Sequence, residues 1–386
     1  MKLALFSDTF HPQVNGVART LKRLTSYLET NEVDYKVIMP SFEVSLKTEQ
    51  EQYYAMKSLP LFLYPECRLA IPHLRAMNGE LDKFKPDLLH VATPFNIGLF
   101  GMRYGKKEKI PMVASYHTHF DRYLVHYHLD ILLPLLWRYL QWFHRPFEKI
   151  FVPSEETRNV LYSKSFTNVE IWSRGVDCDM FTPQYRDYSV REKYNITQKY
   201  IFLFVGRLAP EKDLDVLQDM INKLPSSLKE CVHWLIVGDG PSRNVVDQWE
   251  KKHSNVTCTG YLSGEELARV YASADLFVFP SSTETFGNVV LEAAASGLPA
   301  IVSDSGGVAE IVQDGVTGRI CKAREPDSFI QNIVSIMEDP MLLGSMKIKA
   351  RNYAMTNSWS SIFGNLLMQY EEVIYTKKNK TKTIIA

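Results

Sequence analysis

The chain is short of the features that announce a special environment. Its five cysteines (Cys67, Cys178, Cys231, Cys258, Cys321) are odd in number, scattered and without metal-ligand spacing. That excludes a disulfide scaffold and reads as reduced thiols. Charge of neither sign prevails: 44 basic residues meet 44 acidic ones, so no global field points to nucleic acid. Long hydrophobic runs are absent too. The densest, Ile131 to Trp137, is broken by Pro134 and ended by Arg138, well below the roughly 18 residues of a membrane-spanning helix. Met1 to Asp8 reads as a buried strand entering a polar loop rather than as a signal peptide, so the sequence predicts a soluble, cytoplasmic protein. The sequons at Asn195 and Asn255 then carry little weight.

What is present is an alternation. A length of 386 residues calls for two domains. Apolar runs at Leu3–Phe6, Tyr35–Met39, Asp87–Ala92, Met112–Tyr116 and Ile150–Pro153 predict strands, with amphipathic stretches such as Val17–Leu28 between them. The rhythm restarts near Lys199 with Tyr200–Val205, His233–Val237, Asn255–Thr259, Leu276–Phe279 and Ala300–Val302. Strands separated by helices imply right-handed βαβ units and a parallel sheet, built twice. Gly175 to Val190, with Pro183 and little periodicity, is the expected linker. The expected fold class is α/β, two Rossmann-like domains whose parallel sheets face each other across a cleft. In such sheets ligands lie beyond the carboxyl ends of the strands.

The segment Glu284-Thr-Phe-Gly-Asn-Val-Val-Leu-Glu292 carries the most chemistry. Two carboxylates eight positions apart bracket a turn that opens a helix, expected over Val289 to Ser296 and stopped by Gly297 and Pro299. Backbone N–H groups at Gly287 and Asn288 then face an anion, with an acid on either side. A site that wants both phosphate donors and carboxylates fits a nucleotide sugar. Upstream, Gly206-Arg207-Leu-Ala-Pro-Glu211-Lys212 follows a strand. The planar fork of Arg207 suits paired phosphate oxygens, and Lys212 adds a compact charge that could neutralise a diphosphate leaving group. A surface loop with a Glu211 ion pair is the bland alternative.

Three patterns are set aside. Val237-Gly238-Asp-Gly240-Pro-Ser-Arg243 imitates a dinucleotide fingerprint, but Arg243 stands where the third glycine belongs, which weakens an oxidoreductase reading. Asp213-Leu-Asp215 is expected to open a helix with an acidic N-cap, and Asp177-Cys-Asp179 falls in the linker; neither is assigned a metal. Leu136, Tyr139, Leu140, Phe143 and Phe147 share one helical face and read as core. The alternative is a lipid-facing lip in which Trp137 and Trp142 meet a bilayer beside Arg138 and Arg145. The run Lys377–Lys382 reads as a frayed terminus, a headgroup contact being the alternative.

Taken together, Gly206–Lys212, Val237–Pro241, Glu284–Glu292 and Ser305-Gly-Gly-Val-Ala-Glu310 resemble the family-4 retaining glycosyltransferases of the GT-B fold, in the family's order and across essentially the whole chain. The resemblance implies an acceptor domain over 1–185, a nucleotide-sugar domain over 186–358, and a final helix at about 359–376 packing back on the first. It implies that Arg207 and Lys212 grip the donor diphosphate, that Glu284 binds hydroxyls of the transferred sugar and that Glu292 binds the ribose. The amides of Phe286, Gly287 and Asn288 would lie against sugar and phosphates. Gly16, in Val14-Asn15-Gly16-Val17, stands where the family has a Gly-rich loop, commonly with two adjacent glycines. Asp8 and His11 beside it would face the acceptor, a turn-forming Asp8 being the plainer reading.

The family also carries a histidine in a segment matching Ser115-Tyr-His117-Thr-His119-Phe120, which assigns His117 to the site with His119 as second choice. The implied reaction moves a hexose of glucose or mannose type from a UDP- or GDP-sugar to a hydroxyl, with retention and with no cofactor or metal. Members with similar Asp8–Gly16 and Ser115–His119 segments often act on membrane lipids or glycolipids, so a lipid or glycan acceptor and peripheral contact with the inner face of a membrane are expected. The alternatives are a GT-B-like epimerase or phosphorylase, or a non-catalytic sugar-nucleotide-binding protein.

Overall fold

Runs of four to six apolar residues fold here as strands covered on both faces, which is why they are continuous rather than alternating. The computed structural model describes residues 1–13, 15–41, 51–60, 68–70, 74–116, 130–284 and 286–385. They form two compact units, Met1–Ser173 with Ile362–Ala386, and Arg174–Ser361.

In the first unit the strands are β1 (Lys2–Phe6), β2 (Asp34–Pro40), β3 (Tyr53–Met56), β4 (Ser58–Pro60), β5 (Arg68–Ala70), β6 (Leu88–Val91), β7 (Met112–Ser115), β8 (Lys149–Val152) and β9 (Val169–Ile171). Seven make a parallel sheet in the order β3-β2-β1-β6-β7-β8-β9, and β4 and β5 pair antiparallel beside it. Strand order reverses between β1 and β6, where Leu3 lies opposite Leu88 and Phe6 opposite Val91. The helix Gly16–Thr30 follows β1. Asn15 caps it, its side-chain oxygen accepting from Ala18 N at 2.8 Å, and it buries Ala18, Leu21, Leu24 and Leu28 at helical spacing.

The second unit holds β10 (Tyr200–Val205), β11 (Val232–Val237), β12 (Val256–Gly260), β13 (Leu276–Phe279), β14 (Ala300–Ser303) and β15 (Gly318–Cys321). Their order, β12-β11-β10-β13-β14-β15, is parallel throughout and reverses between β10 and β13. Phe202 and Trp234 meet edge to face at 5.2 Å in its core.

Four expectations change. The stretch 175–190 is not a linker: it packs into the second unit, with Val176, Phe181 and Val190 buried and Phe181 against Tyr271 at 5.6 Å. Arg351 pins it by donating to the carbonyls of Cys178 (3.1 Å) and Phe181 (2.8 Å). The chain enters this unit at Arg174, earlier than the expected boundary at 185/186, because these buried side chains belong to its core. The final helix, Trp359–Ile385, outruns the expected 359–376, and Phe363, Leu366 and Tyr370 are buried in the first unit. Lys377, the first residue of the basic run, is paired with Glu148 at 2.8 Å rather than frayed.

The helix Leu133–His144 turns Leu140 and Phe143 into the core, followed by Phe147. Leu135 and Trp142 on this helix and Ile131 in the turn before it are exposed, as are Arg138 and, at its end, Arg145. Trp137 is half-buried, with Lys164 Nζ 5.3 Å from its ring centroid. Among the described residues no helix is long and apolar enough to cross a membrane.

Candidate functional site

At the order reversal of the second sheet, the loops leaving β10 and β13 are tied together. Ser281 and Thr283 donate to the carbonyl of Glu211 at 3.3 and 2.8 Å. Asp213 Oδ2 accepts from the backbone N–H and hydroxyl of Ser282 at 2.8 and 2.6 Å, and Oδ1 lies 3.2 Å from Arg324. Asp213 thus occupies the N-cap position of the helix Leu214–Lys223, but its carboxylate does not cap it, contrary to expectation. The side chain is spent on holding the two loops in register, with Asp215 reaching the same Arg324 at 3.3 Å. Among the described residues no cluster of three or more His, Cys, Asp or Glu could hold a metal ion.

The bracing brings Lys212 and Glu284 into a half-buried ion pair. Lys212 Nζ also sits 5.7 Å from the Phe279 ring centroid. Around the pair lies a cavity of about 390 Å³, lined among others by Arg174, Gly206, Arg207, Phe286, Gly287 and Asn288. Arg207 is 65% exposed and pairs with Glu211 at 2.5 Å. The bland ion pair expected of this loop therefore forms in the same geometry that puts Arg207 on the cavity wall. Gly287, at φ +80°, precedes the helix Asn288–Ala295; a Cβ there would come within 2.6 Å of Val308 Cγ1. The helix thus starts against the cavity with its N–H groups at the end that favours an anion.

The neighbouring glycines explain the false dinucleotide fingerprint. Gly238 packs so closely that a Cβ would lie 1.9 Å from the carbonyl oxygen of Gly206, and one on Gly240 2.5 Å from that of Leu208. Gly206 N donates to Val237 O at 3.0 Å and Leu208 N to Asp239 O at 3.0 Å. These glycines seat the loop that carries Arg207. Gly306 (φ +79°) also lies against the backbone of Glu284, where a Cβ would come within 2.7 Å of its carbonyl oxygen, and that carbonyl accepts from Gly307 N at 2.7 Å. The Ser305–Glu310 segment is the floor under Glu284.

Glu292 departs from the rest. It does not line the cavity, and its Oε2 accepts from Tyr271 at 3.1 Å, one end of a buried hydroxyl whose pKa burial pushes far above the ordinary range. Arg174 was not singled out from sequence. It precedes Gly175-Val-Asp177, and nothing in a lone arginine there separates a ligand contact from a surface charge.

In the first unit the order reversal is occupied by Asp8, which is fully buried. Its Oδ1 accepts from Ile97 N at 2.9 Å, and its Oδ2 accepts from Thr93 Oγ1 at 2.7 Å and Gly98 N at 3.4 Å. Burial pushes its carboxyl up to about 6, against the downward pull of those hydrogen bonds. Asp8 therefore locks β1 to the helix Asn96–Glu108, both of its oxygens accepting from protein donors. His11 is exposed, and Gly16 is the first residue of its helix rather than part of the loop before it. His117 and His119 lie outside the described residues. A larger concavity of about 840 Å³, lined by Lys2, Asp34, Lys36 and Glu80 among others, opens at the amino ends of β1 and β2, the wrong end of a parallel sheet for a substrate site.

A cavity beyond the carboxyl ends of a parallel sheet, with cations, one carboxylate and a helix start, can hold a phosphorylated, hydroxyl-rich ligand. Residues 14–180 match Glycosyltransferase Family 4 and residues 188–353 match Glycosyl transferases group 1. The chain belongs to these glycosyltransferases, and its fold class is GT-B.

Among its relatives is the GDP-mannose-dependent alpha-mannosyltransferase of Corynebacterium glutamicum, 29% identical over 97% of this chain and 89% of that protein. The alpha-monoglucosyldiacylglycerol synthase of Streptococcus pneumoniae is 27% identical over 83% of this chain and 75% of its own length. The solved structure of Anabaena HepE in complex with UDP superimposes with a TM-score of 0.70 at 17% identity, covering 96% of this chain and all of that one, a likeness of fold.

Proposed function

We propose that the chain transfers a glucose- or mannose-type hexose from a nucleoside diphosphate sugar to a hydroxyl, with retention at the anomeric carbon, and that the acceptor is a membrane lipid or glycolipid. The observation that carries the reading is the Lys212–Glu284 pair in a cavity shared with Arg207 and Gly287. Arg207 and Lys212 neutralise the diphosphate as the bond from the anomeric carbon to its phosphate oxygen breaks. Glu284 accepts from hydroxyls of the sugar, and the amides of Phe286, Gly287 and Asn288 meet sugar and phosphate. The acceptor oxygen attacks on the face the phosphate leaves, and its proton passes to the departing phosphate oxygen. His117 would donate a hydrogen bond near the reacting sugar. For Glu292 the reading is a ribose contact, made by turning from Tyr271. No metal ion or cofactor takes part, so a chelator should leave turnover intact.

The relatives support both halves of the reading. One is named for a GDP-mannose donor and another for a glycolipid product. The exposed Ile131, Leu135 and Trp142 flanked by Arg138 and Arg145 support contact with an anionic bilayer. Calorimetric titration of the wild type and Arg207→Ala with UDP, GDP, ADP and NAD tests the donor site. One nucleoside diphosphate should bind and weaken about tenfold in the variant; binding of NAD alone, or of nothing, overturns the assignment. The anomeric configuration of the product, read by NMR, tests retention. Co-sedimentation with anionic vesicles, lost in Leu135→Ser/Trp142→Ser, tests the membrane contact; equal sedimentation of both proteins rejects it.

A further inference from the structure

We propose that Arg174 is a third donor-binding cation, engaging the sugar-bearing phosphate of the nucleoside diphosphate; the inference rests on the nucleotide-sugar reading above. Charge makes the first case. The cavity wall carries Arg174, Arg207 and Lys212 against the single carboxylate of Glu284. A diphosphate joined to a nucleoside at one end and a sugar at the other brings two negative charges. Lys212 is already paired with Glu284 and Arg207 with Glu211, so a third cation on the wall, Arg174, strengthens the attraction for those two charges.

Placement makes the second case. Arg174 is half-buried, and its guanidinium carbon lies 5.9 Å from the ring centroid of Phe286, two positions beyond Glu284 in the chain. An aromatic face attracts the guanidinium without quenching its charge, and the planar fork matches two phosphate oxygens. The backbone is fixed as well. A Cβ on Gly175 would lie 2.8 Å from Trp359 Cα, Val176 N donates to Asn357 O at 3.0 Å, and Trp359 N donates to Val176 O at 3.2 Å. Arg174 is thus presented from an anchored segment, which limits the entropy lost when the side chain closes on a ligand. By contact with Phe286 it also reports on the loop that starts the anion-binding helix.

The test compares nucleoside diphosphates with monophosphates on the full chain. UDP, GDP, UMP and GMP are titrated calorimetrically into the wild type, Arg174→Gln and Arg174→Lys. Loss of a charge-assisted contact to the second phosphate should weaken the preferred diphosphate about tenfold or more and the matching monophosphate less than about threefold. Arg174→Lys should recover part of the loss. Equal weakening of diphosphate and monophosphate would reduce Arg174 to a prop for Phe286, and unchanged binding would remove it from the site. Monophosphate binding doubles as the check that the variants are folded. A wild type that binds none of the four refutes the nucleotide-sugar reading itself, a failure distinct from that of Arg174 alone.

Discussion

Asp8 offers a test that needs no substrate. Its carboxyl is fully buried and is pushed from the ordinary 3.8 to about 6, chiefly by desolvation. This is the reverse of the usual surface aspartate, whose folded-state value falls. Between pH 3.8 and about 6 the native chain therefore holds a proton that the unfolded chain has lost, and Asp8's contribution to stability increases as pH falls through that window. Above about 6 both states are ionised and the penalty is constant. At about 1.4 kcal/mol per pH unit the swing is about 3 kcal/mol. The expected range is about 2–4 kcal/mol.

Other carboxylates move the opposite way. Glu80 and Asp187 are held below their usual range, Glu80 foremost by its hydrogen bond from Lys36 and Asp187 foremost by the backbone N–H of Ser189. They lose stability as pH falls, so only the difference between wild type and Asp8→Asn isolates the buried group. Two units need not unfold together, so the assay should be local. Urea titration with hydrogen-exchange mass spectrometry on peptides covering Lys2–Phe6 and Leu88–Val91, at pH 4.5 and 7.5, reads the strands that Asp8 locks. Wild type should gain on the variant as pH falls. Parallel curves would mean that Asp8 titrates normally and is not buried as described.

Two further substitutions probe the frame of each unit. Gly287→Ala places a side chain at φ +80° and within 2.6 Å of Val308, so it should cost at least about 1–2 kcal/mol locally and weaken nucleoside diphosphate binding about tenfold while circular dichroism is unchanged; full binding would show that the turn relaxes. Tyr370→Phe removes the hydroxyl 2.5 Å from His90 Nδ1, a buried ring whose Nε2 meets Ser115 at 2.6 Å. The expected loss is about 1–3 kcal/mol, seen as a lowered Tm and faster proteolysis of the final helix, and an unchanged melting curve would refute a structural role for this chain of contacts.

Much of the architecture was legible because parallel strands buried on both faces are continuous apolar runs. Tyr200–Val205 and Leu276–Phe279 were read to the residue. Tyr53–Met56, Val169–Ile171 and Gly318–Cys321 were not, since edge or near-edge strands are short, half-exposed and carry no period that separates them from loop. Glu284 and Phe286–Asn288 do converge with Gly206, Arg207 and Lys212, because the order reversal after β10 and β13 places both loops together. What sequence hid was contact at long separation. Asp213 looked like a cap and is a brace to Ser282, 69 positions away. Local pattern around Asp8 suggests a turn, and the structure shows a buried clamp on Ile97, 89 positions away. Neither partner could be named from local pattern.

The pairing of Lys212 with Glu284 gives the proposed site a property that a simple cation pocket lacks. With Glu284 present, the diphosphate meets a lysine already engaged and a nearby carboxylate that repels it. Like charges about 8 Å apart at an effective dielectric of about 20 repel by about 2 kcal/mol. Glu284→Gln should therefore bind free nucleoside diphosphate more tightly, by up to about thirtyfold, while sugar transfer collapses because the hydroxyl acceptor is weakened. Opposite movements of product affinity and turnover identify a residue that spends nucleotide affinity on the sugar. If both fall together, Glu284 serves only to hold Lys212 in place, and the carboxylate must be removed from the list of groups that touch the transferred hexose. Calorimetry with the diphosphate and a turnover assay on the same preparation decide between them.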